Sequence, residues 1–333
     1  MSTPNNLPIK IYRTDDTVEL SIIWEIFNKC NYNCSYCFSY GHHDKKINVT
    51  LEHAICFIDR IVDHYMAKLN YKKIIISITG GEPTIWKDLV LLCEYAYSKN
   101  IYVGITSNGS APIIFWEKHS HFFDFICLSY HPEHCSPVDF VEKYKVICAQ
   151  KNTVLPAARI MMHRQHNYWE RSIKVYEMIK QLANYQVECV AIQKKCTNNT
   201  WLFIPYESET MNDFIKNTKF EFHLSDHLIF RPPEALFNHK LLRQNYNIEK
   251  LIPNDLINEH SNKFTNWSCH IGLEQLFINA SGEIYRATCL QGDLVGLLKN
   301  CKDIPFPSQP IICKKEFCHC TSDISISKST HID

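Results

Sequence analysis

Residues 20–37 read LSIIWEIFNKCNYNCSYC, and this stretch decides how the rest of the chain is read. Its first part, Leu20 to Phe27, is β-branched and aromatic enough to be a buried parallel strand. Its second part sets Cys30, Cys34 and Cys37 on the loop leaving the C-terminal end of that strand, with the spacing CxxxCxxC. Thiolate sulfur is the ligand that iron–sulfur clusters select. Three thiolates hold three irons of a cuboidal cluster, and the fourth iron stays open for a substrate or cofactor.

Working outward, strand-like and helix-like segments alternate from residue 20 to about 195, the pattern of parallel βα units. Thr50 caps a stretch in which Leu51, Ile55, Ile58, Val62 and Met66 recur at helical spacing. Further strands are predicted over 73–79, 102–106, 123–129, 154–161 and 187–193, with helices near 87–98, 112–118, 136–150 and 169–182 between them. The fold class is therefore α/β. Six βα repeats predict a partial (β/α)6 TIM-like barrel, open on one side, whose chemistry sits at the C-terminal strand ends.

The chain has 333 residues, 45% of them hydrophobic, enough for a packed core and about two domains. Its 35 basic and 35 acidic side chains cancel, so charge gives no argument for nucleic acid or an anionic membrane as partner. The opening MSTPNNLPIKIYRTDD lacks the basic-then-apolar pattern of a secretory signal, and no apolar run approaches the ~18 residues of a membrane span. Sixteen cysteines without an export signal read as metal ligands and buried thiols in a reducing cytoplasm, not as disulfides. Cys56, Cys93 and Cys148, isolated in apolar helical patterns, read as core residues.

The second strand runs out into Gly80, Gly81, Glu82 and Pro83. Glycines at a strand exit let the backbone approach a ligand, and a carboxylate there can accept from a protonated amine. GGEP at this distance after CxxxCxxC resembles the radical S-adenosylmethionine (radical SAM) superfamily, over about residues 18–195. The resemblance implies that Cys30, Cys34 and Cys37 bind a 4Fe–4S cluster whose open iron is chelated by S-adenosylmethionine. It implies that the backbone at Gly80–Pro83 holds the cofactor's amino group, and that Thr106, Ser107 and Asn108 meet its ribose. Ser129 falls where the family meets the ribose or carboxylate, and Arg159 where many members place a polar or basic residue on the cofactor. A guanidinium in an apolar strand needs an anion in any case, since burying it unpaired is costly.

The last 65 residues change character, with W-S-C-H-I-G, a strand–turn–strand signal around Ser281-Gly282, and then I-I-C-K-K-E-F-C-H-C. Cys269, Cys289, Cys313, Cys318 and Cys320 can converge on one metal, with Cys301 a less regular sixth. The layout is similar to the SPASM and twitch auxiliary-cluster domains, though six residues separate Gly282 from Cys289 where that family usually has fewer. The resemblance implies a single auxiliary 4Fe–4S cluster; structural zinc is the alternative, since Cx4CxC with another cysteine also offers four thiolates. His270 and His319 read as loop polarity beside the ligands. The expected organisation is an N-terminal extension (1–17), the barrel (18–195), a connecting segment packing across it (196–265), a cysteine-rich metal domain with a β-hairpin (266–325) and a tail (326–333). Within the connection, a short helix is expected over 208–217 and a turn at Arg231, Pro232 and Pro233.

By resemblance, the activity is reductive cleavage of S-adenosylmethionine to a 5'-deoxyadenosyl radical, which abstracts hydrogen from a peptide or small-molecule substrate in an oxidation or carbon-linked modification. The electron comes from an external one-electron donor such as flavodoxin or ferredoxin. The first barrel strand begins near residue 20, which leaves no room for a leader-binding domain before it. Two other readings stand beside this one: a radical SAM enzyme of nucleotides or other metabolites with a zinc tail, and a non-catalytic iron–sulfur sensor.

Overall fold

The computed structural model describes residues 7–13, 18–37, 49–150, 156–195, 201–203, 205–218, 221–223 and 239–330. The strand read from Leu20 to Phe27 is β2 (Glu19–Phe27), preceded by β1 (Pro8–Arg13). It is followed by β3 (Lys73–Gly80), β4 (Tyr102–Ser107), β5 (Phe125–Tyr130), β6 (Ala157–Met162) and β7 (Tyr185–Ala191). Strands β2 to β7 lie side by side in chain order, each parallel to the next. Between them run α1 (Leu51–Ile61), α2 (Leu89–Ser98), α3 (Ile113–His119), α4 (Pro137–Cys148) and α5 (His166–Lys180). Consecutive parallel order with helical crossovers is the topology of a barrel wall, whereas a doubly wound sheet reverses its strand order midway. The wall does not close on itself: residues 221–223 pair antiparallel with β7 at one edge, and residues 275–278 pair parallel with β2 at the other.

Period-two alternation decides which side of this wall meets the helices. Leu20, Ile22, Trp24 and Ile26 of β2 are fully buried in the core that also holds Ala54, Phe57, Ile58 and Ile61 of α1. Trp24 meets Phe57 edge-on at 5.7 Å between ring centroids. Each such side chain contributes about 1.5–3 kcal/mol by leaving water. Ser21, Ile23 and Glu25 point to the opposite, helix-free face, as do Thr106, Ser129 and Arg159 on their strands. The predicted cap is present, with the His53 amide donating to Thr50 Oγ1 at 3.3 Å. Helix α1 continues through Lys68 with wider turns, so the helical reading to residue 69 holds. Strand β5 starts later than predicted because Ser120–Phe122 forms one more helical turn after α3.

Beyond β7 come β8 (Gln193–Lys195), β9 (Trp201–Phe203), α6 (Glu209–Asn217), β10 (Glu221–His223), β11 (His239–Arg243), β12 (Ile248–Lys250) and α7 (Pro253–Asn258). The chain then forms β13 (Ser268–Cys269), β14 (Gln275–Ile278), β15 (Glu283–Tyr285), β16 (Gly296–Leu297), β17 (Ile311–Ile312), α8 (Thr321–Ile324) and β18 (Lys328–Ser329). The turn expected at Arg231–Pro233 lies outside the described residues.

These segments correct the expected domain plan. Residues 239–250 do not cross the barrel; they pair with β1 in a second, antiparallel sheet ordered β12-β11-β1-β18-β13-β17. The expected N-terminal extension and tail therefore contribute adjacent strands to the cysteine-rich region. The hairpin β14–β15 leaves that region, with β14 adding a parallel strand to β2. The physical cause is the same in each case: an open sheet edge carries unpaired backbone groups, and a neighbouring strand satisfies them. A further correction concerns the cysteines, since Cys56 of α1 is disulfide-bonded to Cys301. Cys301 is thereby removed as a metal ligand and Cys56 as a free core thiol, whereas Cys93 is buried and Cys148 half-buried, both unbonded. Among the described residues no helix is long and apolar enough to cross a membrane.

Candidate active site and cysteine-rich centre

The cysteine loop is held at the C-terminal end of the wall by the turns that follow β3, β4 and β5. The Glu82 amide donates to Lys29 O at 2.9 Å, directly before Cys30. Gly81 lies so close that an added Cβ would stand 2.2 Å from the same oxygen, so only glycine fits. Glu82 itself is fully buried. Its Oε1 accepts from Thr84 N at 3.0 Å, Thr84 Oγ1 at 2.6 Å and Ser107 Oγ at 2.8 Å, and its Oε2 from Asn108 N at 2.6 Å. Asn108 in turn donates from Nδ2 to Asn31 Oδ1 at 3.0 Å and lies 3.6 Å from Cys30 Sγ.

These contacts give the same residues roles within the protein. Glu82 was read as able to accept from a protonated amine, and here its carboxylate accepts from four donors of the chain itself. Ser107 and Asn108 were expected at the ribose, and here they brace Glu82 and the cysteine loop. Arg159 finds its anion within the protein, with Nε 3.0 Å from Glu188 Oε2. Thr106 and Ser129 remain on the open face, and Ser129 stands beside Arg159 in the β5–β6 register.

Sequence reasoning missed the segment after β5. His131 Nδ1 lies 2.9 Å from Tyr36 OH and 3.4 Å from Cys34 Sγ. Glu133 accepts from Ser35 N at 2.8 Å and from Ser35 Oγ, and its Oε1 is 3.0 Å from His163 Nε2. Tyr32 stacks on His134 at 4.8 Å. Donor atoms of Cys34, Glu133 and His134 all lie within 4.8 Å of one another. The clue was the density of ionisable side chains in Y-H-P-E-H immediately after a strand end. Burial pushes the Cys34 thiol up to about 12, with Glu133, Cys37 and Cys30 adding to the effect. A cation beside such a thiol favours the thiolate, and a metal cluster would supply one.

The second sheet assembles four of the five tail cysteines. Cys313 N donates to Trp267 O at 2.9 Å beside β13, and Cys318 N donates to Asn262 O at 2.9 Å. Electrostatic interaction links Cys289 to both Cys269 and Cys313, and Cys318 to both Cys269 and Cys289. Burial raises the thiols of Cys269, Cys289 and Cys318. Cys320 is turned to Ser322, with Sγ 2.9 Å from its Oγ. Among these thiols lie Asp323 and Lys328, 2% and 3% exposed, neither of which sequence reasoning singled out. His270 faces Glu274 at 3.4 Å, and His319 stacks near Phe317.

Comparison with known proteins fits this geometry. Residues 24–124 match the profile of the Radical SAM superfamily, a span that contains the cysteine loop and the glycine turn. The radical SAM cyclopropyl synthase TigE of Paramaledivibacter caminithermalis is 33% identical over 100 residues, covering 26% of this chain and 21% of that one. The S-adenosylmethionine-dependent nucleotide dehydratase of Selenomonas ruminantium is 34% identical over 85 residues, 26% of this chain and 28% of that one. The matches thus span about a quarter of these relatives' length. In fold, the chain is similar to anSMEcpe solved with bound AdoMet, at a TM-score of 0.51 and 14% identity, over 85% of this chain and 78% of that one. Over residues 24–124 the chain is thus similar to the radical SAM superfamily, and the relatives that share this span are named as enzymes.

Proposed function

We propose that this protein holds a 4Fe–4S cluster through Cys30, Cys34 and Cys37 and uses it on S-adenosylmethionine to begin radical chemistry on a peptide or small molecule. The observation that carries the reading is the docking of the three-thiol loop onto Gly81 and Glu82. It joins the two motifs into one site at the mouth of the wall. When bound, the cluster supplies the electron for reductive cleavage of the cofactor. The chain's own part is to position and to exclude water. The backbone of Gly80–Pro83 offers contacts to the amino group, and Thr106, Ser129 and Arg159 line the face on which the nucleoside and substrate would lie. An external flavodoxin- or ferredoxin-like donor fits the exposed Cys37 edge, and the cytoplasm is the proposed compartment. Replacing Cys30, Cys34 and Cys37 together by alanine is expected to abolish 5'-deoxyadenosine formation while circular dichroism stays unchanged. Undiminished product from that variant would overturn the reading.

The buried tail thiols support a second centre, most simply an auxiliary 4Fe–4S cluster acting as electron acceptor or substrate-binding Lewis acid. The fit rests on buried thiols gathered from distant positions beside a carboxylate oxygen, Asp323 Oδ2, that has no hydrogen-bond partner. Intact protein isolated without oxygen should then carry about eight irons and the triple variant about four, at four per cluster. A triple variant free of iron but holding stoichiometric zinc would show a structural zinc site instead.

A further inference from the structure

Asp323 stands in α8, and three features of its surroundings ask for a cation. Its Oδ1 accepts from Gln275 Nε2 at 2.6 Å and from Thr288 N at 3.3 Å, while its Oδ2 meets no donor. Gln275 Oε1 and Thr288 Oγ1, on the two residues that donate to Oδ1, are likewise buried without a hydrogen-bond partner. A buried carboxylate oxygen is costly to leave unmatched. Lys328, the nearby buried cation, sends its Nζ to the backbone oxygens of Asp323 and Ile324 and lies over the Phe264 ring at 4.7 Å.

The position of the carboxylate is fixed from two sides. Thr288, whose amide it accepts, directly precedes Cys289. Lys328, whose Nζ reaches the Asp323 carbonyl, is the register partner of Cys269. Asp323 accordingly interacts electrostatically with Cys269, Cys289 and Cys318 alike. The remaining two thiols have other partners: Cys313 Sγ is directed at Lys315 O, 4.0 Å away on the exposed side, and Cys320 at Ser322.

We propose that Asp323 is a metal ligand, and that the tail centre is held by Cys269, Cys289, Cys318 and the Asp323 carboxylate. The inference rests on the reading of the tail as a metal centre. Its consequence is a mixed ligand set in which one corner carries hard oxygen and three carry soft sulfur. The oxygen corner is the one that a substrate group could displace, so the centre would keep an exchangeable position without giving up a thiolate.

The test uses the full chain carrying the Cys30, Cys34 and Cys37 alanine substitutions, purified without oxygen, so that only tail metal is counted. That protein is expected to hold about four irons. Asp323→Asn keeps the shape and the acceptor for Gln275 and Thr288, and is expected to lose at least a quarter of that iron and to show the electron paramagnetic resonance signal of a three-iron cluster. Asp323→Cys is expected to restore four irons with an altered Mössbauer spectrum, which an unfolded tail would not do. Cys313→Ala is expected to keep its iron. Full iron with unchanged spectra in Asp323→Asn would overturn the ligand role, as would loss of iron in Cys313→Ala matching that in Cys269→Ala. Absence of any tail metal in the starting protein would overturn the metal reading beneath it. Zinc in place of iron would keep the proposal only if Asp323→Asn lowered zinc content and Cys313→Ala did not.

Discussion

The two proposed cysteine centres are built in opposite ways. The one at the wall's mouth takes its thiols from eight consecutive residues, and the fold's work is to clamp that loop with the turns after β3, β4 and β5. The one proposed in the tail would draw Cys269, Cys289, Cys318 and Asp323 from separate strands and turns, and Cys269 lies in a sheet that uses both ends of the described chain. A local centre depends on a few tight contacts, each of which matters greatly. A distributed centre depends on the whole sheet.

The comparison is most sharply tested at Gly81. Gly81→Ala puts a methyl group against the Lys29 carbonyl, an overlap that costs about 1–3 kcal/mol wherever the backbone must shift. We expect it to empty the first centre and leave tail metal intact, as read from iron content in the presence and absence of the three loop cysteines. Equal loss from both centres would break the distinction.

Glu82→Gln comes next. It keeps the side chain's shape but places an NH2 where a donor already points, so one or two charge-assisted hydrogen bonds are lost, at about 1.5–3 kcal/mol each. Urea denaturation should show the loss, together with weakened cofactor binding caused by a loosened cysteine loop. A cofactor effect with no change in stability would mean that Glu82 meets the cofactor directly.

A smaller effect probes the joint between the two sheets. Burial pushes Glu274 up, but the Ser327 amide donating at 2.9 Å and the imidazoles of His239 and His270, 3.8 and 3.4 Å away, outweigh it and hold the carboxylate below its usual range. A folded-state value below the unfolded one means that this stabilisation is complete above pH ~4.3 and is lost as pH falls through the folded value. Stability should drop by at most about 1.4 kcal/mol per pH unit on this account. Glu274→Gln should flatten that slope in urea titrations between pH 6 and pH 3, and an unchanged slope would assign acid sensitivity elsewhere. Smallest of all is Arg159→Ala, since its partner Glu188 is about as exposed as it is. We expect under about 1 kcal/mol of stability and less than a tenfold change in cofactor affinity. A larger affinity change would show the guanidinium turned to the cofactor.

What could be read from sequence follows the same division. The six strands of the wall, the Thr50 cap and the cysteine loop are encoded in runs of a few residues whose periodicity or spacing carries the signal. Glu82 and Asn108 were found for their position, but their roles depend on where the ends of β3 and β4 meet, which no single run encodes. The second sheet was hidden because β1, β11 and β18 are separated by more than two hundred residues at their widest and pair by open edges, not by pattern. Nothing in the sequence singled out Asp323, for the same reason. The Cys56–Cys301 bond escaped because compartment reasoning about thiols says nothing of two cysteines that packing sets side by side.

The second sheet also dictates a timetable. Every strand of the wall and every clamp on the cysteine loop has been synthesised once His163 and β7 leave the ribosome, so the first centre can be assembled on a nascent chain. The strand that pairs with Cys269 arrives only at Lys328, on the order of ten seconds later at ordinary rates of elongation. During that interval β1 has no partner from the far end of the chain, and its exposed edge is open to pairing with other chains. That interval falls after every residue of the cysteine loop and its clamps has been made, and a chaperone that shields residues 8–13 would guard it.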